Sequence, residues 1–123
     1  MNKTILLFSL MIFSLSILVS CSVTKIVDQN YEIVSLYIIK NDKAEKVAEL
    51  KDKKKIQELT TLINSSKKED ADSVVFEKGP DGILVFEKKD KKLELQVFTD
   101  AGNLLTKEYY VNSGIDMKKY FGY

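Results

Sequence analysis

Apolar residues occur in two regimes along this chain. Between Ile5 and Val19 nearly every position is apolar, with only Ser9, Ser14 and Ser16 interrupting. Beyond residue 30 the apolar positions are spaced, with the period of strands and, once, of a helix. The run 31–40, YEIVSLYIIK, is rich in β-branched and aromatic residues. It is apolar on both faces, with Ile33, Tyr37 and Ile39 on one and Val34, Leu36 and Ile38 on the other. A strand of that kind is central in its sheet or covered on both sides. Asn41-Asp42 marks a turn, and 45–50 reads as a return strand.

A helix is predicted over 53–65, with Asp52 as its N-cap. Ile56, Leu59 and Ile63 form its apolar stripe, with Leu62 beside them. Thr60 and Thr61 lower the intrinsic propensity, so packing must hold this helix. Residues 67–73 read as a polar loop. Four strands follow, over 74–78, 83–88, 93–99 and 104–111. They are punctuated by Gly79-Pro80-Asp81-Gly82, by Lys89-Asp90-Lys91-Lys92 and by Asp100-Ala101-Gly102-Asn103. Leu93, Leu95 and Val97 alternate with Glu94 and Gln96, the pattern of a half-buried antiparallel strand. A short helix over 115–121 closes the chain. The expected class is α+β: an antiparallel sheet of about five strands, one helix packed on a face, and a short C-terminal helix.

The first regime has the parts of a secretory signal peptide: one positive charge at Lys3, an apolar middle and small residues at its end. A membrane span is the competing reading. Fifteen helical residues extend only about 22 Å, against a hydrocarbon core of roughly 30 Å. No basic stop-transfer cluster follows directly. The end of the run, Leu18-Val19-Ser20-Cys21, resembles the lipobox of bacterial lipoprotein signal peptides. The resemblance covers residues 1–21. It implies cleavage between Ser20 and Cys21 and attachment of diacylglycerol to the Cys21 thiol. Two acyl chains of about fifteen methylenes each supply roughly 24 kcal/mol gross, which is effectively permanent anchoring.

The expected organisation is therefore a cleaved signal peptide over 1–20, lipidated Cys21 and a tether over 21–30, and a single domain over 31–123. The location expected is the cell membrane, lipid-anchored on its extracytoplasmic face. Residues 22–30, SVTKIVDQN, span at most about 30 Å extended and roughly 17 Å as a coil, so the domain stays close to the membrane.

Composition narrows the chemistry. Nineteen lysines stand against 18 acidic residues, and there is no arginine. Lys3 is the only charge before Cys21, so the remainder is balanced. No basic field of the kind nucleic acid needs is present. The histidine count is zero and Cys21 is the single cysteine. Triads and dyads built on His and the usual zinc, copper and haem ligand sets are thereby excluded within one chain, and lipidation of Cys21 would leave no free thiol. Carboxylate-only, lysine and Ser-Lys chemistry survive in principle, but no spacing supports any of them. No catalytic residue, metal site or cofactor is expected.

Three clusters invite a functional reading. Glu69-Asp70-Ala71-Asp72 is the densest acidic group, but it lacks the EF-hand offsets and reads as a solvated loop. Lys51-Asp52-Lys53-Lys54-Lys55 and the group Lys88, Lys89, Lys91 and Lys92 either touch anionic headgroups or wall polymer, or are ordinary solvated turns in a lysine-biased sequence. Tyr109, Tyr110, Tyr120, Phe121 and Tyr123 either form an interface or close the core under the last helix. Two functions lead, with a third, a hydrolase using carboxylates, behind them. One is a membrane-anchored, non-catalytic binding or structural module. The other is a small inhibitor or immunity protein acting against a secreted or envelope enzyme.

Overall fold

Alternation along the strands sets one continuous apolar face, and the register lines it up. In the computed structural model, which describes residues 24–123, β1 (Ile33–Lys40) pairs with β2 (Lys43–Leu50) on one side and β4 (Gly82–Lys88) on the other. Val34, Leu36 and Ile38 point to the core and are almost fully buried. Across the ladder Val34 meets Phe86, Leu36 meets Leu84, and Ile38 meets Gly82. β5 (Lys91–Phe98) continues these rows with Leu93, Leu95 and Val97. Val97 then meets Leu104 of β6 (Asn103–Leu105), and Leu104 meets Val111 of β7 (Tyr109–Val111).

Helix α1 (Lys53–Ser65) covers this face with Ile56, Leu59 and Ile63, all buried in the same cluster. Burying each such side chain contributes about 1.5–3 kcal/mol, which carries a helix whose threonines disfavour it. Asp52 caps it as expected, accepting from the backbone N–H groups of Lys54 and Lys55 at 3.0 and 3.2 Å. Helix α2 (Met117–Phe121) is a single turn, capped by Asp116 and anchored by buried Met117.

The expected α+β arrangement of about five strands is corrected by the sheet itself. The described residues form one antiparallel sheet of seven strands, in the order β2-β1-β4-β5-β6-β7-β3 with β3 at Lys68–Asp70, together with one helix and a short helical turn. It is a sheet-rich fold, and the differences have local causes. Lys68–Asp70, read as loop, forms β3 and pairs with β7 at the sheet edge. A short polar edge strand has no apolar alternation to reveal it. The expected strand over 104–111 splits in two. Its break is Thr106, whose hydroxyl accepts from the Tyr109 and Glu108 amides at 2.9 and 3.3 Å and so bends the chain. Residues 74–78 form no strand, because β1 and β5 already occupy both edges of the neighbouring β4.

The core also reaches further toward the N-terminus than the expected domain start at residue 31. Val27 is 2 % exposed. Its N–H donates to the Asn64 side-chain oxygen and its carbonyl accepts from the Asn64 amide, both at 2.9 Å. The leader 1–20 and Cys21 lie outside the described residues. Among the described residues no helix is long and apolar enough to cross a membrane.

Candidate functional site

The residues flagged by sequence fall in separate places. Glu69 and Asp70 lie on the edge strand β3, followed by a 3-10 turn over Ala71–Ser73. Their carboxylates serve local structure. Asp70 caps that turn by accepting from the Asp72 amide at 3.2 Å, while Glu69 takes Asn112 at 3.3 Å and Lys67 at 3.8 Å. No group of three or more potential metal-ligating side chains occurs among the described residues.

The aromatic residues divide between the two faces of the sheet. Tyr109, Tyr120 and Phe121 pack against the core, and Tyr123 is half exposed. Tyr110 lies on the opposite face, in a trio with Phe76 and Phe98. Ring centroids there are 5.1 Å apart for Phe76–Phe98, 5.5 Å for Phe76–Tyr110 and 5.9 Å for Phe98–Tyr110. The Tyr110 hydroxyl accepts from the Asn103 amide at 2.9 Å. Phe76 thereby fastens the loop before β4 across the outer face. Sequence reasoning missed this trio. The signal was the alternation of β5, which puts Phe98 in phase with Glu94 and Gln96 rather than with Val97.

Two grooves open on the surface. A cleft of about 600 Å³ lies where the incoming segment Thr24-Lys25-Ile26 passes β5 and the β6–β7 turn, with Ile83, Leu93, Leu105 and Tyr109 in its walls. β6 reaches only as far as Gln96 along β5, so no strand among the described residues flanks 91–95 on that side. The charged residues of the cleft, Lys25, Glu94, Lys107 and Glu108, are all exposed. A second groove of about 400 Å³ runs between Glu32-Ile33 and the β4–β5 turn over 88–92.

Both lysine runs sit at one end of the sheet. Val34 pairs with Leu50 and with Phe86, and Phe86 pairs with Leu93. Residues 51–55 follow β2 beyond that row, and 88–92 turn from β4 to β5 beyond it as well. The Glu32 amide donates to the Glu87 carbonyl at 2.9 Å, which puts the segment entering β1 at the same end. There Lys51 and Lys46 both reach Glu49, Lys51 at 3.1 Å. Hydrogen bonds from Lys46 and then Lys51 lower the pKa of Glu49, and Glu49 in turn raises that of Lys46. Just before β1, burial and then nearby Asp28 raise the pKa of the Tyr31 phenol, whose hydroxyl donates to Asp28 at 3.3 Å.

The Ser35 hydroxyl is buried on the outer face and finds no hydrogen-bond partner among the described residues. It has no base beside it, since its cross-strand neighbours are Val85 and Glu49, and Glu49 is engaged by two lysines. The chain matches no protein-family model, no curated protein and no solved structure.

Proposed function

We propose that this chain is an extracytoplasmic lipoprotein, held to the membrane through Cys21, that acts as a non-catalytic binding or structural module. The observation that carries the reading is Leu18-Val19-Ser20-Cys21 at the end of an apolar run that contains no charge. Supporting it is the short distance to the folded domain. Val27 is already in the core, and the six residues after Cys21 span at most about 20 Å. A domain so close to its anchor works at the membrane surface. The non-catalytic part rests on composition and spacing: the chain has no histidine base, its one thiol is on this reading committed to lipid, and no spacing of its carboxylates, lysines and serines forms a catalytic pattern.

Growth of expressing cells with an alkyne-bearing fatty acid tests the anchor. The wild-type chain is expected to carry the label and Cys21→Ala to lose it and leave the membrane fraction. Label retained by Cys21→Ala refutes the reading.

A further inference from the structure

We infer that the end of the sheet carrying residues 51–55 and 88–92 faces the bilayer and that its lysines bind anionic phospholipid headgroups. The inference rests on the lipid-anchor reading and adds an orientation and a lipid class to it. Each run holds four lysines and one aspartate. The runs are far apart in sequence, and only the register Val34–Leu50 and Val34–Phe86–Leu93 brings them to one end. Asp52 is held by the helix cap, so it offsets its neighbours less than a free carboxylate would. Asp90, Glu87 and Glu32 remain as acidic residues in the groove beside the second run. Lys51 and Lys92 are 71 % and 59 % exposed, although each also contacts a glutamate.

The chain enters β1 at this same end, where the Glu32 amide meets Glu87, after Thr24-Lys25-Ile26 run alongside β5 between Leu93 and Gln96. Thr24 lies three residues after Cys21, a span of at most about 10 Å. A lipid on Cys21 therefore holds the lysine end within reach of the headgroups. Charged groups held within the Debye length of about 8 Å at physiological ionic strength feel the leaflet's charge. The opposite end carries Asp42, Asp81 and Asp100 in its turns, with Lys40 and Lys43 flanking Asp42. The charge distribution thus favours one orientation on an anionic leaflet. Each lysine near such a surface contributes about 1 kcal/mol, or roughly fivefold in partitioning.

The test uses the intact chain isolated from membranes and reconstituted into vesicles of phosphatidylcholine, with or without phosphatidylglycerol. A thiol-reactive dye is attached through Asp90→Cys at the lysine end or Ala101→Cys at the far end, and energy transfer to a headgroup-labelled lipid is read. The parent chain should take up no dye, because the Cys21 thiol is occupied. Dye uptake by the parent refutes the anchor reading, and the orientation falls with it.

With the anchor intact, transfer from position 90 should exceed that from position 101 several-fold in phosphatidylglycerol vesicles. The excess should shrink in pure phosphatidylcholine. It should also shrink at about 1 M salt, where the Debye length is about 3 Å, and when the lysines at 88, 89, 91 and 92 are changed to glutamine. Equal transfer from the two positions in anionic vesicles overturns the orientation. An excess that is unchanged in neutral vesicles and in the glutamine variant overturns headgroup binding, since tether geometry alone would then set the orientation.

Discussion

Asn64 holds Val27 by both backbone groups. Its side-chain amide donates to the Val27 carbonyl and its side-chain oxygen accepts from the Val27 N–H, each at 2.9 Å. The side chain substitutes for a neighbouring strand and binds the incoming segment to the last turn of α1. Asn64→Ala removes both bonds and leaves two backbone groups beside a core residue without partners, an expected loss of about 2 kcal/mol. Urea unfolding measures it. Accelerated exchange of the Val27 amide should accompany it, and exchange unchanged from wild type would show that the segment is held by its apolar contact alone.

Gly102 and Gly114 both have positive φ, 72° and 54°, yet they should respond differently to substitution. A Cβ on Gly102 would stand 2.1 Å from the Ile115 carbonyl oxygen, because the C-terminal segment crosses directly over this turn. The crossing is fixed by the Ile115 amide and the Ser113 hydroxyl, which both donate to the Gly102 carbonyl at 2.8 Å. Gly102→Ala is expected to cost at least about 3 kcal/mol. Gly114 has open space around it and should lose only about 1 kcal/mol, from the backbone conformation. Thermal unfolding of the two variants gives the comparison.

Ser35 should be replaceable. Its buried hydroxyl has no partner among the described residues, so Ser35→Ala removes a desolvated polar group and creates little space. Stability should stay level or rise by up to about 1 kcal/mol. Neighbouring Leu36, which is fully buried on the other face, should lose about 3 kcal/mol on truncation to Ala. A destabilised Ser35→Ala would mean that the hydroxyl makes a bond this structure does not contain, for example to an ordered water.

Glu49 should titrate below the ordinary glutamate range, because the hydrogen bonds from Lys46 and then Lys51 favour its charged form. A carboxyl whose pKa is lower in the folded state adds stability that is present above its unfolded value and lost as pH falls through the folded one. For Lys46 the pKa is raised, so its contribution is present at and below neutral pH and is lost as pH rises through the folded value. Both residues are exposed, so the effect on stability is small. Carbon-detected NMR titration follows it directly. Lys46→Met should move the Glu49 midpoint upward, and Lys51 should keep part of the depression.

Much of the fold was legible because its determinants are local. Ile56, Leu59 and Ile63 recur at the helix period behind Asp52, and the cap and stripe appear where the spacing puts them. The alternation of Leu93, Leu95 and Val97 against Glu94 and Gln96 defines the inward face of β5 without knowledge of its neighbours. The composition likewise excludes histidine chemistry whatever the fold, and the apolar run ending at Cys21 is complete within its own residues.

The tertiary structure decided what depends on partners distant in sequence. β3 is a strand only because β7 offers Lys68, Glu69 and Asp70 a free edge, and 74–78 is not one because β4 has none left. Phe76 meets Phe98 and Tyr110 because a loop folds back across the sheet, a contact that no periodicity encodes. Val27 enters the core through a side chain on α1 far along the chain. The two lysine runs lie far apart in sequence, and strand register alone sets them at one end, beside the segment that leads back to Cys21. Local spacing fixes the face each side chain presents, whereas pairing across the sheet fixes which of those faces and ends come together.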